Sequence, residues 1–267
     1  MPRAQTLLLL APLLTSATAC TPDYGVKGGK GGVAGGDDTG AEIDPAAYDG
    51  ATLQILEPEA GDFLPLGEAA SFTAVVLDAD GNEMSEVEVN WTSDIDSAWG
   101  EVASTFEDDS LVVGTHSLTA RAWLPNGAVV TDRAGAVLVQ HEDAGTYVGN
   151  MVLDVSGELQ GAPLTASCIG AAVVVVDGWG EVATGNSDCI ISLLGFAQEA
   201  TVVFDLGVEE GELAGESALD LSFIQYGFDT GGDVEDGVLV ADWGDNVLGF
   251  ADVTGSMELE RITRDAE

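Results

Sequence analysis

The alternation of apolar and polar residues restricts the fold of this chain more than any other feature of its sequence. In the segment EVEVNWT, residues 86–92, the apolar side chains share one face of an extended chain and the polar side chains share the other. Residues 115–122, THSLTARA, repeat the pattern, with His116 and Leu118 on the inward face. Period-two alternation is typical of half-buried antiparallel strands. Because no ten-residue stretch keeps a 3.6-residue period without a glycine, the sequence predicts an all-β protein.

The chain divides into two β-rich units. Residues 51–141 contain about seven short strands with turn signals at short intervals, which predicts a β-sandwich. Residues 144–262 predict a second domain, an antiparallel β-meander that either closes as a barrel or folds as a sandwich. Its predicted strands are residues 147–155, 171–176, 189–194, 201–206, 219–226, 237–242 and 250–260. Its predicted glycine-marked turns are residues 177–178, 231–232, 236–237 and 244–245.

The charge balance excludes several classes of partner. The chain has 7 basic and 47 acidic residues, for a formal net charge of −40. Nucleic acid is excluded as a partner, because binding phosphates requires clustered lysine and arginine. With 46 % hydrophobic residues the chain has ample material for a core, so it is not a disordered acidic tail. From residue 50 onward the basic side chains besides histidine are Arg121, Arg133, Arg261 and Arg264.

The first residues carry the marks of a secretory signal. Arg3 precedes the apolar run of residues 7–14, and the small residues 16–19 follow. The run is too short to span about 30 Å of hydrocarbon as a helix. Residues 1–19 are therefore predicted to be a signal peptide. Beyond Cys20 the chain is rich in glycine, and residues 20–50 are predicted to form a flexible tether.

The segment ATAC, residues 17–20, resembles the lipobox of bacterial lipoproteins. Ala17 departs from the commonest version, which has leucine there. The resemblance implies that Cys20 becomes the lipidated (palmitate-bearing) N-terminus and that the partner of this end is a lipid bilayer. Thr21, in place of an aspartate that retains lipoproteins in the inner membrane, favours the outer membrane, on its periplasmic or exterior face. The alternative is an ordinary signal peptide cut near Ala19, which leaves Cys20 as a free thiol.

If Cys20 carries lipid, Cys168 and Cys189 remain as an even pair in an exported chain, and such a pair predicts one disulfide. A zinc site is poorly supported because no histidine lies near either cysteine in the sequence. Two buried free thiols are the remaining alternative.

Residues 51–140 resemble the immunoglobulin-like domains of bacterial surface proteins. The resemblance rests on the segments EPEAG, FTAVVLDADGN, VEVNWTSDIDSAWGEV and LVVGTHSLTARAW. It implies that Trp91 is the core tryptophan of the third strand, and it says little about function.

The sequence contains few candidate catalytic residues. The sequence has no G-x-S-x-G elbow, H-E-x-x-H, P-loop or dinucleotide fingerprint. His116 is interpreted as a core residue and His141 as an exposed residue between the domains. A carboxylate pair of the kind that glycoside hydrolases use stays open. Trp179 and Trp243 could flank such a pair in a cleft, although core positions are the preferred interpretation for both.

Calcium is the one cofactor that the sequence suggests. Asp78 and Asp80 lie in DADGNE, residues 78–83, where oxygens alternate around a glycine turn. Residues 94–96 and 229–236 offer similar groups of acids. The EF-hand pattern is not met, and the alternative is turn chemistry alone.

The sequence as a whole predicts a non-catalytic binding or structural module at the cell envelope, held by its lipid anchor. Its partner would be an envelope protein or a polysaccharide. The alternatives are a carbohydrate-active enzyme with paired carboxylates and a calcium-stabilised surface spacer or adhesin.

Overall fold

The computed structural model of the protein describes residues 44–221, 225–247, 249, 251–264 and 266. The predicted signal peptide, Cys20 and most of the predicted tether lie outside the described residues. The described part is all-β, as predicted. Its helical structure is the 3-10 turn Pro45–Tyr48, and no helix in the described part is long and apolar enough to cross a membrane.

The folded body begins earlier than residue 51, the start predicted from the sequence. The Asp44 carboxylate caps the 3-10 turn by accepting a hydrogen bond from the Ala46 amide at 3.0 Å. Tyr48, at the end of this turn, is buried in the core of the first unit. Residues 45–48 were assigned to the tether because the sequence that precedes them is rich in glycine.

The first unit consists of seven strands in two sheets, which confirms the predicted number. One sheet has the order β1-β3-β5, and the other has the order β2-β7-β6-β4. The two sheets enclose one apolar core. The strands are β1 (Thr52–Glu57), β2 (Phe63–Pro65), β3 (Ala70–Leu77), β4 (Val89–Ser93), β5 (Thr105–Asp108), β6 (Gly114–Trp123) and β7 (Val129–Gln140).

Aromatic rings fill the centre of the first unit. Phe72 stacks on Phe106 at 4.9 Å between ring centroids and meets Trp91 edge to face at 6.0 Å. The indole N–H of Trp91 donates to the Ala103 carbonyl at 3.0 Å, so its polar edge is satisfied in the core. The predicted core position of Trp91 is confirmed. The predicted inward face of β6 is confirmed as well: His116, Leu118, Ala120 and Ala122 are buried.

The second unit is a closed antiparallel barrel of eight strands, which decides between the two predicted architectures. Every strand pairs with its neighbour in sequence, and the last strand pairs with the first. The strands are β8 (Gly145–Leu159), β9 (Ala162–Val176), β10 (Val182–Leu193), β11 (Phe196–Glu209), β12 (Glu212–Asp220), β13 (Gln225–Glu235), β14 (Val238–Val247) and β15 (Ala251–Thr263).

The register of the strands sets the width of the barrel. A path that starts at Asp233 on β13 and steps between paired residues returns to β13 at Gln225, eight residues away. The intermediate residues are Val240, Glu258, Asn150, Ala171, Asp188, Thr201 and Asp220. A barrel of eight strands with this modest stagger has an interior that side chains can fill. Its buried residues indeed form one continuous apolar cluster.

Two of the predicted glycine-marked turns lie inside strands. Residues 231–232 are within β13 and residues 244–245 are within β14. Gly232 lets two backbones approach closely, because a Cβ there would lie 2.0 Å from the Val240 carbonyl oxygen. Glycine therefore marks close packing at this position, and the predicted turn was wrong.

The predicted strand at residues 219–226 was also wrong. Asp220 ends β12 and Gln225 begins β13, and these two residues face each other in the ladder. The chain therefore reverses within the segment that the sequence predicts to be one strand. That single predicted strand stands in place of β12 and β13, which is why the sequence predicts seven strands in this unit and the structure has eight.

Cys168 and Cys189 form a disulfide, as predicted, with their Cα atoms 5.9 Å apart. The bond joins β9 to β10 and belongs to the buried cluster of the barrel. It lies just beyond Ala171 and Asp188, the last paired residues of the β9–β10 ladder. The disulfide thus holds the two strands together where their pairing ends.

Candidate functional site: the cleft at the domain junction

The chain passes from the sandwich to the barrel through four residues, 141–144, that are fixed by hydrogen bonds. The His141 amide donates to the Gly178 carbonyl at 2.9 Å, and the Ala144 amide donates to the His141 carbonyl at 3.1 Å. A Cβ on Gly180 would lie 2.4 Å from Cγ of His141, so the histidine ring lies against the turn between β9 and β10. His141 lies between the domains as predicted, with 36 % of its side chain exposed.

Two arginines at the end of β15 hold this connection. Arg261 and Arg264 both donate to the carbonyl oxygen of Glu142, the latter at 3.2 Å. The Arg264 guanidinium also lies 3.8 Å from the ring centroid of Phe63 on β2. Its own carbonyl accepts from Nε2 of Gln140 at 2.5 Å. Because these contacts join β2, β7 and β15, they tie the end of the barrel to the sandwich.

A cleft of about 860 Å³ opens beside these arginines. Its described lining has six acidic residues, two arginines and one histidine, and it contains no aromatic side chain. The exposed aromatic rings expected beside a glycosidase carboxylate pair are therefore not part of this lining. The lining residues are His141, Glu142, Asp143, Glu210, Gly211, Asp233, Val234, Glu235, Asp236, Gly237, Arg261 and Arg264.

The surroundings of Asp143 in this cleft change its acidity. Burial raises the pKa of its carboxyl group, while His141 and Arg261 act in the opposite direction. The His141 ring nitrogen Nδ1 lies 3.7 Å from one Asp143 oxygen. Burial also raises the pKa of Tyr147, whose hydroxyl donates to the Asp143 carbonyl at 2.7 Å. The junction thus carries a partly buried acid next to a histidine.

The two arginines mainly hold the backbone of the connection between the domains in place. Burial lowers the pKa of Arg264, and the neighbouring charge of Arg261 acts in the same direction. Among the described residues, no carboxylate oxygen lies within 4.0 Å of either guanidinium. Their shared acceptor is a backbone carbonyl, so the clamp fixes the path of the chain. The sequence offered one signal for this role: two of its four folded-part arginines lie three residues apart near the C-terminus.

The residues proposed as calcium ligands take part in turn geometry. Oδ1 of Asp78 accepts from the backbone amides of Asp80 at 2.9 Å and Asn82 at 2.8 Å. Hydrogen bonds from the Asn82 side chain and amide lower the pKa of Asp78. In the described part of the chain, no group of three or more His, Cys, Asp or Glu side chains is placed to hold a metal ion. Calcium binding at Asp78 and Asp80 stays a prediction.

The other groups of acids also serve the chain around them. Oδ1 of Asp94 accepts from the Ser117 amide at 2.7 Å, and Oδ1 of Asp96 accepts from the Ala98 amide at 3.1 Å. The acids of residues 229–236 lie on β13 and its following turn.

The two tryptophans that could line a catalytic cleft have different environments in the structure. Trp243 is buried in the barrel, 5.2 Å from the ring of Phe204, so its predicted core position is confirmed. Trp179 is 51 % exposed on the turn between β9 and β10, and its predicted core position was wrong. His116 is a satisfied core residue, as predicted: it meets Ser93 Oγ at 2.8 Å and the Val112 carbonyl at 2.7 Å.

Charge is distributed unevenly over the outside of the barrel, which the sequence interpretation missed. Asp205, Glu216 and Asp229 face outward in direct register on β11, β12 and β13. By contrast, β9 has no charged residue, and β10 has Asp188 alone. The uncharged run of residues 162–176 was visible in the sequence. Its position beside β10, on one face of a closed barrel, was not.

No protein-family model, curated protein or solved structure matches this chain.

Proposed function

We propose that this protein is a lipid-anchored envelope protein that holds a rigid two-domain β body at a membrane surface as a non-catalytic binding or structural module. In this proposal Cys20 is the acylated N-terminus, and residues beyond it connect the anchor to the folded body. The outer membrane is the proposed location, because Thr21 does not provide the aspartate that retains lipoproteins in the inner membrane.

The fixed junction between the domains is the observation that carries the proposal. Three separate contacts join the sandwich to the barrel: Gln140 to Arg264, Arg264 to Phe63, and His141 to Gly178. A body whose two domains are held in this way suits the presentation of a surface better than the closing of one domain on the other.

The point of attachment supports the same proposal. Oδ1 of Asp49 accepts from the side chain of Asn126 in the turn between β6 and β7, at 3.1 Å. Strand β7 runs from this turn to Gln140, and the barrel follows. The N-terminal segment therefore joins the body at the end of the sandwich away from the barrel. Attachment at that end keeps the described residues 44–50 away from the barrel.

Because side chains fill the interior of the barrel, we expect its binding sites to lie on its outer surface. A barrel with a stagger of eight residues has an interior that side chains can fill, and the buried apolar cluster occupies it. Ligands of the second domain would therefore bind on its outer faces or in the cleft at the junction.

The proposal is tested by expressing the full chain in a bacterium with two membranes and comparing it with Cys20→Ser. The mature N-terminal peptide is analysed by mass spectrometry, and membranes are separated by density. We expect the wild-type peptide to begin at Cys20 with acyl chains attached, and the protein to be in the outer membrane. The Cys20→Ser variant should lack acyl chains and be released from the membrane fractions.

Two further variants make the result specific. Thr18→Ser keeps a small residue before the cysteine and should leave acylation unchanged. Thr21→Asp should keep acylation but shift the protein to the inner membrane. A wild-type protein with an unmodified Cys20 thiol in the soluble fraction would overturn the proposal and favour an ordinary signal peptide.

A further inference from the structure

One face of the barrel differs from all the others in charge. Strand β9 has no charged residue, and the only charged residue of β10, Asp188, accepts a hydrogen bond from the Thr201 hydroxyl at 2.6 Å. The outward positions of the neighbouring strands carry acids, including Glu199 and Asp205 on β11 and Asp154 on β8. On a chain with a net charge of −40, a face two strands wide with a single carboxylate requires an explanation.

The same face exposes large apolar side chains along its length. Ile169 is 69 % exposed, Ile190 is 72 % exposed and Phe196 is 71 % exposed. We call this surface the β9–β10 apolar face. It consists of Ile169, Val173, Val182, Ile190, Leu194 and Phe196. Large apolar side chains that are exposed together on one face of a domain mark a site of association.

The centre of the face lies where the β9–β10 ladder ends. Ile169 and Ile190 lie just beyond Ala171 and Asp188, the last paired residues of that ladder. The disulfide behind them holds the strands with Cα atoms 5.9 Å apart. Because a third strand needs about 4.8 Å of spacing on each side, no foreign strand can insert here. The face can therefore bind a partner through its side chains but not by adding a strand.

Charge restricts how two copies of this chain can meet. They repel each other through the acids on most of their faces. When two β9–β10 apolar faces meet about a two-fold axis, each covers the other, Asp188 keeps its hydrogen bond from Thr201, and the acids of the neighbouring strands stay at the rim. A stable dimer of standard size buries roughly 800 Å² on each partner. Six large apolar side chains that are 40–72 % exposed, together with the small residues between them, provide a surface of that order.

We propose that the β9–β10 apolar face is a self-association surface that pairs with the same face of a second copy of this chain. The proposal does not depend on the lipid anchor or on the cell envelope. It predicts a dimer whose affinity rises with salt, because salt screens the repulsion between the acidic rims.

The test is sedimentation equilibrium of the full chain prepared without lipid, with Cys20→Ser to prevent disulfide-linked dimers. It is carried out at low salt and at about 0.5 M sodium chloride, where the Debye length falls to roughly 4 Å. We expect a reversible dimer that strengthens with salt. The double variant Ile169→Glu/Ile190→Glu should weaken self-association at least tenfold. Both positions are well exposed, so the unfolding temperature should change little.

Val240→Glu is the matched control. Val240 is 45 % exposed on β14, on the opposite side of the barrel, and receives the same new charge. This variant should dimerise with nearly the wild-type affinity. A wild-type protein that stays monomeric at about 100 μM in high salt would overturn the proposal, as would equal effects of the two substitutions. Binding of a monomer to phosphatidylcholine vesicles that is lost in the double variant would also overturn it and assign the face to lipid.

Discussion

Gly255→Ala tests how completely side chains fill the barrel. Gly255 lies on β15 directly opposite Trp243 on β14, and both residues face the interior. A Cβ at residue 255 would lie 2.1 Å from Cε2 and 2.2 Å from Cζ2 of the Trp243 ring. The ring cannot move freely, because it is buried and packs edge to face on Phe204 with 5.2 Å between centroids. One added methyl group must therefore displace the indole or the backbone.

The expected loss of stability follows from two opposing effects. Forcing an extra methyl group into a packed core costs typically 1–3 kcal/mol. Replacing glycine by alanine also restricts the unfolded chain, which stabilises the folded state by about 0.4–1 kcal/mol. Two ring atoms are contacted far inside van der Waals distance, so the cost should lie at the upper end. We expect a net loss of about 2 kcal/mol, or a fall in Tm of roughly 4–8 °C for a folded body of this size.

The measurement is urea and thermal unfolding followed by far-ultraviolet circular dichroism. Gly207→Ala is the matched control, because Gly207 is a mid-strand glycine of the same barrel that faces outward. A Cβ there would meet only the Ala214 carbonyl oxygen, at 3.5 Å. This variant should be as stable as the wild type or slightly more stable. In the Gly255→Ala background, Trp243→Phe should cost less than it does alone, because the smaller ring leaves room for the methyl group. Equal unfolding midpoints for the two glycine variants would refute the reasoning.

Three other substitutions test further features of the structure. Glu216→Gln should raise the Tm at low salt, because each like-charge cross-strand pair that it removes costs about 0.2–1 kcal/mol; a gain that does not shrink with added sodium chloride would contradict this explanation. Asp143→Asn should stabilise the protein at pH 7, because a raised folded pKa means that stability is lost as Asp143 ionises. The difference should disappear below the ordinary carboxyl pKa of about 3.9, and stability curves against pH for both proteins check this. Replacing Cys168 and Cys189 together by serine should lower the free energy of unfolding by about 3 kcal/mol, since the bond closes a loop of 21 residues. Urea unfolding of the oxidised wild type and the double variant measures that loss, and equal midpoints would mean that the disulfide adds no stability.

Much of the fold could be predicted from the sequence because the signals involved are local. The period-two pattern of residues 86–92 and 115–122 depends only on how successive side chains alternate along a strand. The same pattern placed Trp91 and His116 in the core. The pairing of Cys168 with Cys189 followed from counting cysteines in a chain that the sequence predicts to be exported. None of these inferences required knowledge of which strands are neighbours.

The glycines show where local patterns fail. Residues 231–232 were predicted as a turn because glycine is common in turns, yet they lie within β13 against the backbone of β14. The same residue type serves both purposes, and only the distance to a neighbouring strand distinguishes them. The reversal between Asp220 and Gln225 was missed for a related reason, since apolar residues continue through it without a turn signal.

Strand order and register were decided by the tertiary structure alone. Closure of β15 on β8 pairs residues about one hundred positions apart, and the sequence contains no local record of that contact. Closure brings the outward acids of β11 to β13 into register and leaves β9, which has no charged residue, beside β10, which has Asp188 alone. It also brings Arg261 and Arg264 to the connection between the domains, where they bind the Glu142 carbonyl. The sequence determined which segments become strands, because alternation is a property of neighbours in the chain. The candidate surfaces arose only when distant strands paired, because a surface is a property of neighbours in space.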